Sequence, residues 1–160
     1  MKIAVCGYYA KNNFGDDMMA DCLSEVLSSG GKHTVRVYSD TANLKVYNYK
    51  NNSHLDNDII VIGGGGIIDN KFWALSEDNL DKLNNKKIIF LNVNIYSEAI
   101  KNIDFMNKLK SLNAHWWVRD KNSVELLSSA GIESKFLPDI TFKNFVENKN
   151  KTNKKLLNVF

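Results

Sequence analysis

The run Asp58-Ile59-Ile60-Val61-Ile62, with glycines at 63, 64, 65 and 66 directly behind it, constrains the fold of this chain more than any other segment. Four successive β-branched residues favour a strand, and their unbroken apolarity leaves no face for water. A strand of this kind is buried on both sides, as in a parallel sheet covered by helices, and not in a sheet with one wet face. Residues 87–92 repeat the pattern with Ile88, Ile89, Phe90 and Leu91. Neither segment suits a sheet edge.

Further short apolar runs at 2–6, 33–38, 114–118 and 134–137 alternate with amphipathic stretches, the order expected of successive βα units. Residues 16–29 carry Met18, Met19, Cys22, Leu23, Val26 and Leu27 at helical spacing and stop at Gly30-Gly31. Residues 122–130 repeat this in shorter form, with Val124, Leu126, Leu127 and Ala130 inward and Gly131 as the stop. Another helix is expected within 97–112, whereas 43–57 fit neither period. The expected fold class is therefore α/β, a Rossmann-like and mostly parallel sheet of five to seven strands flanked by helices.

At 160 residues the chain suffices for one packed domain, assigned to 1–142. Beyond it, 143–155 reads as a polar Lys/Asn-rich linker, and the apolar residues of 156–160 as the start of a strand or of a second domain. The formal charge of +3 is too small for the electrostatic footprint of a nucleic-acid binder, and the C-terminal lysines from Lys143 to Lys155 read as a solvated tether. Cys6 and Cys22 form no CxxC pair and are expected as buried thiols. The first residues enter a strand directly, without a secretory leader, and no run of 18 apolar residues occurs, so the expectation is a cytoplasmic protein without a membrane span.

Three segments place chemistry at the carboxyl ends of strands, where open α/β sheets bind ligands. The first is 7–17, in which Asn13 and Asp16 can cap the following helix while exposing its first amides. It lacks the GxGxxG spacing of a dinucleotide site, and Asp16 and Asp17 at the helix start repel a phosphate. An N-capped helix with no ligand accounts for the same residues. The second is Gly63–Gly66 followed by Ile67-Ile68-Asp69, where missing side chains admit positive φ and let a ligand or another chain segment approach the backbone. The third is Trp116-Trp117-Val118-Arg119-Asp120, continuing to Ser123. Arg119 offers a planar fork to a carboxylate or phosphate, Asp120 or Ser123 caps a helix, and the alternative for Arg119 is an ion pair with Asp120 or Asp139. Pro138-Asp139 adds a carboxylate to the same rim.

His33, His54 and His115 are scattered without carboxylates at ligand spacing, so no metal site is expected. Trp73, Trp116 and Trp117 read as packing residues, there being no basic groove among them.

Taken in order, Asn13-Phe14-Gly15-Asp16-Asp17, Ile62 to Asp69, Val118-Arg119-Asp120 with Ser123, and Pro138-Asp139 resemble the motif series of the polysaccharide pyruvyl transferase family over residues 1–142. The resemblance implies one half of a GT-B-like architecture, two Rossmann-like halves facing a cleft. It implies transfer of pyruvate from phosphoenolpyruvate, a substrate and not a bound cofactor, to a sugar or glycan acceptor in surface polysaccharide biosynthesis. Carried over by position, it puts Asn13, Gly15, Gly64, Gly65, Arg119 and Ser123 on the substrate side, and Asp16 as a catalytic base or acceptor-hydroxyl ligand. Two departures accompany it. The sequence stops where relatives begin a second half, so the 160 residues alone are expected not to transfer pyruvate. In addition, Asn92-Val93-Asn94 stands where a glycine-containing turn is expected.

Two other readings fit the same residues. One is a sugar-nucleotide glycosyltransferase of the same architecture. The other is a non-catalytic binding or assembly module that retains half the fold and pairs its apolar end with a second copy or a partner domain.

Overall fold

The computed structural model describes residues 1–142 apart from Ser29, Leu44 and Asn52. Strands β1 (Lys2–Cys6), β2 (Thr34–Ser39), β3 (Val46–Asn48), β4 (Ile59–Gly65), β5 (Lys87–Val93), β6 (Ala114–Val118) and β7 (Lys135–Phe136) make one sheet in the order β3-β2-β1-β4-β5-β6-β7. Every neighbouring pair is parallel. The helices are α1 (Phe14–Ser28), α2 (Glu77–Leu83), α3 (Ser97–Ile100), α4 (Ile103–Ser111) and α5 (Lys121–Ser129). This is the α/β, Rossmann-like sheet expected from the alternation of apolar runs. The linker at 143–155 and the apolar segment at 156–160 lie outside the described residues.

Alternation along each strand divides the core in two. Ile59 and Val61 join Ile3, Val5, Ile89 and Leu91 beneath Met19, Cys22, Leu23 and Leu27 of α1. Ile60 and Ile62 join Ala4, Cys6, Ile88 and Phe90 on the opposite face, against Leu80, Leu83, Phe105, Leu109 and Leu127 from the remaining helices. Each fully buried aliphatic side chain of this kind contributes about 1.5–3 kcal/mol, which is why β4 carries no polar residue before its glycines. Both cysteines are buried, and burial pushes the Cys6 thiol up.

Several boundaries differ from the periodicity reading. The helix expected over 97–112 is two helices, because Asn102 caps a new start by accepting from the Phe105 N–H at 3.1 Å. The ambiguous 43–57 segment contains β3 and a short 3-10 turn, His54–Asp56. The strand expected at 58–62 runs on to Gly65, so three of the four glycines belong to its end and not to a turn after it.

In this strand order the connections leave β1 and β4 on opposite faces, which opens a crevice between their carboxyl ends. Ligands bind at that switch point in open α/β sheets. Because all strands are parallel, the segments after β1, β4, β5 and β6 emerge at the same edge.

Candidate active site

One wall of the crevice is the start of α1. Asn13 caps it, its Oδ1 accepting from the Gly15 N–H at 3.2 Å, while its Nδ2 donates to Asp16 Oδ2 at 2.7 Å. Asp17 turns away from the crevice and accepts from the Ala10 N–H at 2.7 Å, which holds the loop after β1 closed. That loop places Ala10 and Asn12 at φ 60°, a left-handed conformation that disfavours alanine. Asp16 is half-buried. Its burial pushes the carboxyl above the ordinary carboxylate range and the neighbouring Asp17 adds to this, while the positive charge of Arg119 pulls it back.

The floor is the glycine end of β4. A side chain at Gly63 meets Leu23 at 2.6 Å and one at Gly64 meets Met19 at 2.6 Å, so both glycines are needed for α1 to lie close to the sheet. Gly64 and Gly65 also take φ of 77° and 84°. Gly66 is covered by the ring of Tyr96, and the buried Tyr9 hydroxyl donates to the Gly63 carbonyl. The close approach foreseen for these glycines is thus largely made by the protein itself. Gly65 is the exception, since the position of its missing Cβ lies 3.4 Å from Asp16 Oδ1 and faces the carboxylate.

The other wall comes from β5 and β6. Asn94 donates its N–H to the Gly65 carbonyl at 3.1 Å. Its Oδ1 accepts from one Arg119 terminal nitrogen at 3.0 Å, and the other terminal nitrogen pairs with Asp139 Oδ2 at 3.2 Å. Gly65, Asn94, Arg119 and Asp139 are therefore linked in one row along the sheet edge. The Arg119 side chain keeps 29% of its surface exposed, and two of its five N–H donors are engaged in these bonds.

The structure brings Asn13, Asp16, Gly65 and Arg119 to one rim, with Gly15 exposed at the start of α1. Gly64 is buried beneath Met19. Ser123 is fully buried; it donates to Asp120 Oδ2 at 2.8 Å and accepts from the Ile95 N–H at 3.0 Å, while Asp120 caps α5. It reaches the crevice only through the segment after β5. A groove of about 530 Å³ between α1 and strands β2 and β3 is lined by Asp21, Arg36, Lys45 and Tyr47 but by none of these rim residues. Among the described residues, no group of three or more His, Cys, Asp or Glu is placed to hold a metal, and no helix is long and apolar enough to cross a membrane.

A family model described as polysaccharide pyruvyl transferase matches residues 13–159. The chain belongs to that family. No curated protein and no solved structure matches it.

For a polysaccharide pyruvyl transferase, the residues hardest to read in advance were Asn92 and Asn94, which lie where a glycine-containing turn was expected, and Tyr96 just beyond it, whose ring covers Gly66. Asn92 takes φ 59° at a bulge in β5, the backbone state that glycine tolerates best and asparagine next. Asparagine at this position thus supports the same turn that a glycine would. A signal was present, since a lone Asn inside an apolar strand marks a left-handed residue or a buried polar tie.

Gly15 is the crevice glycine whose missing side chain the surrounding fold does not require, its nearest neighbour being Asn13 Oδ1 at 3.6 Å. Gly15→Ala is expected to stabilise the pyruvyl transferase chain by about 0.5 kcal/mol through backbone entropy. Urea unfolding of the two proteins side by side measures the gain.

Proposed function

We propose that the crevice between β1 and β4 serves the transfer of pyruvate from phosphoenolpyruvate to a sugar in surface glycan biosynthesis. The family supports the reaction class. The observation that carries the residue assignment is the division of charge across the crevice, with a carboxyl of raised pKa at Asp16 on one wall and a partly exposed guanidinium at Arg119 on the other. The acidic start of α1 is unsuited to an anion, so the sugar hydroxyls lie by Asn13, Gly15 and Asp16. The donor's carboxylate or phosphate lies by Arg119.

In this reading one sugar hydroxyl oxygen bonds to C2 of phosphoenolpyruvate while C3 gains a proton and becomes a methyl group. The proton lost by the hydroxyl balances the one gained at C3. A second hydroxyl then takes the place of phosphate at C2, leaving a ketal and inorganic phosphate with no change in oxidation state. Asp16 exchanges the hydroxyl proton, a role suited to a carboxyl that burial raises above the ordinary carboxylate range. Arg119 balances the donor's negative charge. The same reading includes a cytoplasmic setting and a second Rossmann-like half facing this one, as in GT-B architectures.

Thermal melts test it. Phosphoenolpyruvate at 100 times its dissociation constant adds about 2.7 kcal/mol, a rise of several degrees for a domain of this size. Arg119→Lys keeps the charge but not the planar fork, and is expected to lose most of that rise while melting within a degree or two of the parent without ligand. A nucleotide sugar that raises the melting temperature where phosphoenolpyruvate does not would replace this reading with the glycosyltransferase one.

A further inference from the structure

The segment where a glycine-containing turn was expected does more than turn. Asn92 is fully buried, and each end of its carboxamide is used: Nδ2 donates to the carbonyls of Pro138 at 3.1 Å and Leu137 at 3.4 Å, and Oδ1 accepts from the Ile140 N–H at 3.0 Å. These bonds bracket Asp139 on both sides. Asp139 is closed into its own turn, Oδ1 accepting from the Thr141 N–H at 3.0 Å and hydroxyl at 2.7 Å, which leaves Oδ2 for Arg119. Two residues after Asn92, just past the end of β5, Asn94 takes the other terminal nitrogen of the same guanidinium. The Arg119 backbone N–H is bonded to the carbonyl of Val93, between the two asparagines.

We infer that Asn92 and Asn94 are positioning residues that, through Asp139 and directly, fix the plane of the Arg119 guanidinium and aim its remaining donors into the crevice. A guanidinium pinned at both terminal nitrogens cannot rotate about its last bonds without breaking one of the two contacts. The free donors then face a ligand already ordered, and binding need not bear the cost of ordering a long side chain. A glycine at either position supplies no such contact. The brace belongs to the Asn-Val-Asn sequence of this chain. Its value for binding rests on the function proposed above, but its geometry does not.

Arg36 and Arg119 are the only arginines in the sequence, so the Nε–H signals of both can be followed by nuclear magnetic resonance on the 160-residue chain. The expected order parameter of Arg119 Nε–H is near that of rigid backbone, about 0.85, and below about 0.6 in Asn94→Ala. Asn94→Asp, which keeps the acceptor, should restore it. Asn92→Gly keeps the left-handed backbone but removes the three bonds around Asp139, and should also lower it. The phosphoenolpyruvate dissociation constant should rise roughly two- to tenfold in Asn94→Ala, the effect of moving one side chain's ordering from folding to binding. An Arg119 that is mobile in the parent, or equally rigid in Asn94→Ala and Asn92→Gly, overturns the brace. If instead Arg119→Lys leaves phosphoenolpyruvate binding unaltered while the order parameters behave as stated, the brace stands and the proposed function falls.

Discussion

Gly64→Val is expected to destabilise the chain by about 3–5 kcal/mol, enough to leave a marginally stable domain largely unfolded. Two independent effects add. Gly64 sits at φ 77°, where a β-branched residue is at its worst, and a Cβ there falls 2.6 Å from Met19 Cγ. Relief requires α1 to move off the sheet, which opens the layer formed by Met19, Leu23, Val61 and Leu91. Urea unfolding of Gly64→Val beside Gly15→Ala makes the contrast, since these two glycines of the crevice region should move the midpoint in opposite directions. A loss below about 1 kcal/mol for Gly64→Val would mean that α1 is not held as tightly as its contacts imply.

The second large effect is acid sensitivity from His54. Its ring is buried against Trp73, with centroids 5.1 Å apart and planes nearly perpendicular, and its Nε2 has no hydrogen-bond partner among the described residues. Burial, and secondarily the charge of Lys82, push its pKa from 6.5 down to about 4, against a smaller opposing pull from Asp56. The unfolded chain therefore takes up a proton near pH 6.5, while the folded chain resists it until about pH 4. Stability is fully present above pH 6.5 and is lost progressively between those values, by about 3 kcal/mol in total. Asp16 acts in the opposite sense, because its raised pKa penalises the folded state at high pH and that penalty is relieved as pH falls. The difference between parent and His54→Phe removes the Asp16 contribution, and should grow in favour of the phenylalanine variant as pH falls from 7 to 4.5. A difference that stays constant with pH would show that His54 titrates normally.

The sheet was legible because strands buried on both faces can hardly be written any other way than as Ile59-Ile60-Val61-Ile62 and Ile88-Ile89-Phe90-Leu91. The short edge elements were not legible. β3 pairs only three residues with β2, and among Tyr47, Asn48 and Tyr49 there is too little length for a period to declare itself. Helix α2 buries only Leu80 and Leu83, and its polar residues hid it among loop signals. At the rim, Asn13 and Asp16 could be read because a helix cap has a sequence form. The Arg119–Asp139 pair was one of two ion pairs the sequence allowed, the other being with Asp120. The contribution of Asn94 depends on a hydrogen bond between residues 25 apart, which no local pattern encodes. The four-glycine run identified the right place but left its cause open, and the cause is chiefly Met19, Leu23 and Tyr96 packing onto bare backbone.

The crevice floor is also the seam of the sheet. β1 pairs with β4 through Ile3 opposite Ile59, the longest sequence separation of any strand pairing described, whereas β2 meets β3 through Val37 opposite Val46 and β6 meets β7 through Trp117 opposite Lys135. Loop-closure entropy places such a pairing late in folding, after the more local contacts on either side have begun to form. During synthesis β1 must wait unpaired on that side until residues 59–65 have left the ribosome. The rim that carries Asp16 and Gly65 is thus completed at the step that joins the first half of the sheet to the second.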